Sequence, residues 1–191
     1  MPRRATLHLV TEFVPVVAFF LAGNFLTLTA ATYVLIISTV GALMVGLWCA
    51  GRMPVLPVVS TIFVLVSGGI SLRAHEIEAL IIADSLYYFL LAGIVAGGLS
   101  FRRNILKYFF DHTFAMTDEG WDLAAFRFVT IFILAGAANE VVRIALTPEA
   151  WMDFRFIKVL AITAFGVWQL RIAAQYRLPG HSNTWGLRTR E

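Results

Sequence analysis

The chain has 191 residues, of which 59% are hydrophobic and only 14% charged, with a mean hydropathy of +0.79. A soluble domain carries about 25% charged residues, so this composition excludes a cytosolic enzyme, a disordered chain and a secreted disulfide scaffold, and it leaves a polytopic membrane protein. The net charge of +3 rests on basic residues placed mostly between apolar runs, where they orient a chain on a membrane, and no nucleic-acid-binding motif accompanies them.

A helix needs roughly 20 apolar residues to cross the hydrocarbon core. Pro2-Arg3-Arg4 and the apolar stretch behind it imitate a signal peptide, but no small-x-small cleavage site follows, and the segment reads as a retained first helix. That segment, Phe13–Leu28, is short and interrupted by Pro15 and Asn24, so it either crosses at a tilt or dips in and returns. Ala30–Trp48 follows, then Val55–Leu72, which Pro54 and Pro57 open where proline is tolerated. Leu80–Leu99, Ala124–Val142 and Phe156–Leu170 complete the set. The expected fold is an all-α bundle of six membrane-embedded helices, or five spans with a short or re-entrant first helix. It forms a single multi-pass domain over residues 1–178, with a mobile cytoplasmic tail at 179–191.

Arginines and lysines gather on the cytoplasmic side of membrane proteins. With both termini inside, eleven basic residues fall on the inner side, and only Arg73, Arg143, Arg155 and Lys158 fall outside. If the first segment does not cross, the N-terminus alone changes side. The loop 102–122 lies on the inner surface. Its start interleaves Arg102, Arg103 and Lys107 with Ile105, Leu106, Phe109 and Phe110, which suits a short amphipathic helix on anionic lipid or an extension of the fourth helix.

Ionisable groups inside a membrane are costly, so each is a functional candidate. Asp84 lies about one turn inside the fourth segment. Glu140 lies similarly deep in the fifth, preceded by Asn139 and followed three residues on by Arg143, a spacing that lets Glu140 and Arg143 pair. Asp84, Asn139, Glu140 and Arg143 therefore form a candidate polar cluster near the outer face, with Arg143 bridging Glu140 and Asp84. The cluster is either a neutral joint between helices or a proton or substrate site. Glu12 sits at the membrane edge. Lys158 and Arg171 bracket an uncharged run and are expected to snorkel to opposite interfaces. Trp121 and Trp151 fit interfacial belts, and Gly93 and Gly97 offer a small-residue face for helix packing. No protease, nucleotide-binding or nucleophile-elbow motif occurs. The four histidines share no ligand spacing, and the single cysteine, Cys49, excludes an internal disulfide and a multi-thiolate site. Neither a catalytic set nor a metal or other cofactor is expected.

Several strings, taken in order, resemble the intracellular septation protein A family of bacterial inner-membrane proteins. They are Glu12-Phe13-x-Pro15, Arg52-Met53-Pro54, Gly68-Gly69-Ile70-Ser71-Leu72, Asp118-Glu119-Gly120-Trp121, Asn139-Glu140-Val141-Val142-Arg143 and Trp151-x-x-Phe154-Arg155. The likeness spans about residues 10–178. Where the family has a lysine-bearing run in the fourth segment, this chain has Ile81 and Ala83, with Asp84 beside them, which marks a diverged branch. The resemblance implies a non-enzymatic inner-membrane protein with a part in envelope integrity, membrane homeostasis and septation. Its partners would be the lipid bilayer and inner-membrane proteins of the division and elongation machinery, and an oligomer is compatible with it. A small transporter or channel built on the outer polar cluster is the alternative.

Overall fold

The computed structural model describes residues 14–15, 17–50, 55–74, 77–111 and 113–189; Glu12, Arg52, His8, His75 and His112 lie outside these described residues. Residues 17–25 are helical and are called α1. They are followed by α2 (Leu28–Ala50), α3 (Val55–Ala74), α4 (Glu78–Ser100), α5 (Ile105–Phe110), α6 (Asp118–Ala145), α7 (Pro148–Trp168) and α8 (Leu170–Gln175). Among the described residues there is no strand beyond isolated bridges. This is a polytopic helical membrane protein, because in hydrocarbon a spanning chain must satisfy its backbone groups within itself. Among the described residues four helices are long and apolar enough to cross: Thr29–Trp48, Glu78–Ser100, Asp118–Ala145 and Pro148–Gln175. Thr61–Ala74 within α3 is a shorter apolar helix.

Local chemistry sets the starts of these helices. The Thr27 hydroxyl accepts from the Ala30 N–H at the head of α2. Thr117 does the same for Gly120 at α6, where Asp118 and Glu119 occupy the first turn. At α7 the order is Thr147 as cap, Pro148 at the first helical position and Glu149 behind it. Each arrangement satisfies an orphan N–H or sets a negative charge against the positive end of the helix dipole. These signals carry α6 and α7 well upstream of their apolar runs, so α7 begins at Pro148 rather than at Phe156.

The chain divides into two compact units. The first holds the described residues up to Tyr87 together with Ala138–Val159. Its core comprises Phe19, Ala22, Ala31, Leu35, Leu80, Ile81, Trp151 and Met152. Lipid tails are as apolar as leucine, so close approach rather than water exclusion drives such packing. Accordingly, Gly23 lies against Met152 and Gly68 against Ile36, with no room for a methyl group at either. A Cβ at Gly93 or Gly97 would meet no atom within 4 Å, so among the described residues the small-residue face is not a packing seam.

The second unit holds Tyr88–Ala137 and the residues from Leu160 onward. Met116, Trp121, Ile172 and Ala173 form its core, with Leu106 of α5 packed against them. The stretch from residue 179 is not a free tail. Ala115 is fully buried, receives a backbone bond from Leu178 and donates one to Gly186, while Arg188 N–H donates to Thr113. The Arg188 guanidinium closes the fold on the backbone and carboxylate of Asp111, at 2.7 and 2.8 Å. Glycine and charge in residues 179–191 suggest mobility, but strand-like pairing with residues 113–115 holds residues 179–189 down.

Candidate functional site

Asn139 stands at the centre of the first unit's polar network and is fully buried. Its Nδ2 donates to the Ile81 carbonyl at 3.0 Å and to Ser85 Oγ at 2.8 Å, both on α4. Its Oδ1 accepts from Trp151 Nε1 and from Lys158 Nζ, each at 2.9 Å, both on α7. A side-chain amide has one acceptor oxygen and two N–H donors, and all of these are used. One residue of α6 thus holds α4 and α7 together. Such a bond contributes most where no water competes for it, and the backbone carbonyl of Ile81 makes the geometry specific.

Two ion-paired arms extend from this centre. On one, Lys158 pairs with Asp84, with side-chain exposures of 5% and 11%. Phe154 places its ring 5.4 Å from the same ammonium. On the other, Ser85 Oγ donates to Glu140, whose second oxygen accepts from Arg143 Nε at 2.8 Å. Arg143 Nη1 then reaches Glu78 at 3.0 Å. A cavity of about 270 Å³ is lined by Glu78, Arg143, Ile81 and Trp151 among others.

Asp84, Asn139, Glu140 and Arg143 therefore share one network, but its pairing differs from the expectation. Arg143 bridges Glu140 and Glu78, both acids within its own reach, and the cation for Asp84 is Lys158. Lys158 does not snorkel. A carboxylate and an amide oxygen receive its ammonium inside the unit, which removes the reason to reach for the headgroups. Trp151 does not offer its ring to lipid either: it is fully buried with its N–H on Asn139. Ser85 and Glu78 were not singled out from sequence. Serine is common in apolar helices, and only its proximity to Asn139 and Glu140 gives it a role.

Arg155 is buried with its guanidinium 5.2 Å from the Phe19 ring and 5.3 Å from Trp151, an arrangement in which ring faces partly replace lost hydration. Among the described residues its Nη1 has no hydrogen-bond partner. Pro15 is buried on the helical stretch before Phe19.

The other motif residues belong to the second unit. Asp118 pairs with Lys107, and Glu119 is exposed. Gly120 lies too close to Tyr176 for any side chain. Trp121 turns its ring into the core rather than towards lipid, and among the described residues its Nε1 has no hydrogen-bond partner. The stretch after α4 is not an extension of that helix; it holds the short helix expected there, which begins at Ile105 rather than at Arg102. A turn at 101–103 separates α4 from α5, whose start Asn104 caps by accepting from Lys107 N–H. Among the described residues no group of His, Cys, Asp and Glu could hold a metal ion.

Comparison with known proteins supplies the remaining observations. The family model for intracellular septation protein A matches residues 7–177. Relatives named inner membrane-spanning protein YciB include one from Bradyrhizobium sp. (strain BTAi1), 28% identical over 88% of this chain and 84% of its own length. Another, from Afipia carboxidovorans, is 29% identical over 89% of this chain and 86% of its own. A third, from Brucella suis biovar 1, is 30% identical over 81% of this chain and 78% of its own. No solved structure matches the chain.

Proposed function

Since the chain belongs to the intracellular septation protein A family, we propose that this multi-pass inner-membrane protein is a non-enzymatic factor in envelope integrity, membrane homeostasis and septation. It acts by presenting helix surfaces to other inner-membrane proteins of the division and elongation machinery. The observation that supports this reading is the saturation of Asn139. Its amide, Lys158 with Asp84, and Glu140 with Ser85 and Arg143 are spent on one another. Groups occupied in this way hold helices in register and leave little to bind or turn over a substrate. The eleven-to-four division of basic residues supports a cytoplasmic side for both termini. The cavity beside Glu78 and Arg143 favours a second reading, a small transporter or channel.

Photo-crosslinking from lipid-facing positions such as Ile37 and Val141 in living cells tests the first reading. Capture of division or wall-synthesis proteins is the expected result. Capture of none, together with solute flux in proteoliposomes that Glu78→Gln abolishes, would move the assignment to the second. A periplasm-active reporter fused after Arg177 should be silent and one near Glu149 active. The reverse pattern would invert the orientation.

A further inference from the structure

The turn between α4 and α5 holds an arginine where the backbone suits glycine. α4 closes in a Schellman arrangement, in which Arg103 N–H donates to the Gly98 carbonyl at 2.8 Å and Arg102 N–H to that of Leu99 at 3.0 Å. The residue at the turn must then be left-handed. It is Arg102, at φ +55°, the one non-glycine residue with positive φ among the described residues. A Cβ is disfavoured there, and such local strain persists where the side chain has a use.

Three observations indicate that use. The candidate span of α4 ends at Ser100, which sets the turn where hydrocarbon gives way to headgroups. Arg102 and Arg103 are both exposed, and among the described residues neither has an acidic partner, whereas Lys107 is spent on Asp118. Phe101 and Tyr108 flank them at 81% and 84% exposure, and aromatic rings so placed settle at a membrane–water boundary.

We propose that the Phe101–Arg103 turn is a binding site for the phosphate groups of anionic phospholipids, with Arg102 held left-handed beside Arg103 and with Phe101 and Tyr108 seated in the interface. A guanidinium fork matches phosphate oxygens in pairs. Each arginine near an anionic surface raises the preference for it roughly five-fold. The inference rests on the membrane-spanning fold and not on a role in septation, so either can fail alone.

The test uses the full chain in nanodiscs of phosphatidylcholine, with or without phosphatidylglycerol, followed by thermal unfolding at low salt. Wild type should unfold at a higher temperature when phosphatidylglycerol is present, and raised salt should remove the increment. Arg102→Gly should unfold about 2–4 °C higher in phosphatidylcholine, because the strain is relieved, yet lose most of the phosphatidylglycerol increment. Arg102→Gln, which keeps the strained backbone without the charge, should lose the increment and gain nothing. Arg103→Gln should also lose part of it. Retention of the full increment by Arg102→Gln and Arg103→Gln would overturn the proposal, as would a lower unfolding temperature of Arg102→Gly in phosphatidylcholine.

Discussion

Two lysines of this chain meet an aspartate in the company of an asparagine, and the two constellations differ chiefly in their surroundings. Lys158 meets Asp84 at exposures of 5% and 11%, and Asn139 accepts a second bond from the same ammonium. Lys107 meets Asp118 at 44% and 82%, while Asn104 caps α5 and donates to Asp122 at 2.9 Å. Water competes for every bond of the second set and screens its charges. Around the first, low dielectric makes each bond stronger and each broken one more damaging. Equal side chains thus tie three helices together in one place and only trim a surface turn in the other.

The sharpest way to break this comparison is to strand the buried carboxylate. Lys158→Met should destabilise the protein by about 3–5 kcal/mol, read from unfolding in lipid nanodiscs. Adding Asp84→Leu should recover most of the loss, because the pair is then replaced by apolar volume. Arg143→Ala and Asp84→Leu should couple only weakly, through the residues between them, since Arg143 pairs elsewhere. Coupling as strong as that of a direct ion pair would restore the three-residue bridge expected from sequence.

Asn139→Ala comes next, at about 2–3 kcal/mol, because it leaves Trp151 Nε1 and the ammonium of Lys158 each short of an acceptor. The near-ultraviolet signal of the buried tryptophan should change with it. An unchanged stability would deny Asn139 its central place.

In the second unit, Gly186 has φ +74°, and a methyl group there would run into the Ala173 carbonyl. Gly186→Ala should therefore weaken the docking of the terminal segment by about 1–2 kcal/mol. Faster hydrogen exchange at the Ala115 and Leu178 amides is the expected readout, since both bond across that junction. Unaltered exchange would make the segment a passive passenger.

The smallest effect belongs to Lys107. Its hydrogen bond to Asp118 raises its pKa above the ordinary 10.5, helped by the charges of Asp118, Asp111 and Asp122 and opposed by slight burial. A raised lysine pKa contributes stability below the unfolded value, and that contribution is lost as pH rises through the folded value. Lys107→Met should therefore differ from wild type by about 0.2–1 kcal/mol near neutrality. The difference should vanish once the pH has risen past the raised pKa of the folded state. A gap that persists there would mean that packing of the lysine stem, not its charge, is responsible.

Much of the fold is legible in residue order. The apolar runs 30–48 and 80–99 fall within α2 and α4, and the pairing of Glu140 with Arg143 follows from a spacing of three on one helix. The upstream reach of α6 and α7 was written in Thr117-Asp118-Glu119 and Thr147-Pro148-Glu149, local signals that hydropathy masks. Lys158 misleads because a lysine that brackets an uncharged run with Arg171 looks like a membrane edge when its partner, 74 residues away, is out of view. Residues 179–189 mislead for the opposite reason, since polar composition hides backbone pairing, which any sequence can provide.

By itself the sequence determined that this chain is a set of apolar helices in a membrane. Hydrocarbon demands that each spanning segment satisfy its own backbone groups, and that demand can be read one segment at a time. Only the tertiary structure decided which charges meet. The choice of Lys158 over Arg143 for Asp84 depends on how α4, α6 and α7 pack around Asn139. A buried charge takes the partner that packing brings within hydrogen-bond reach, not the one nearest in the chain.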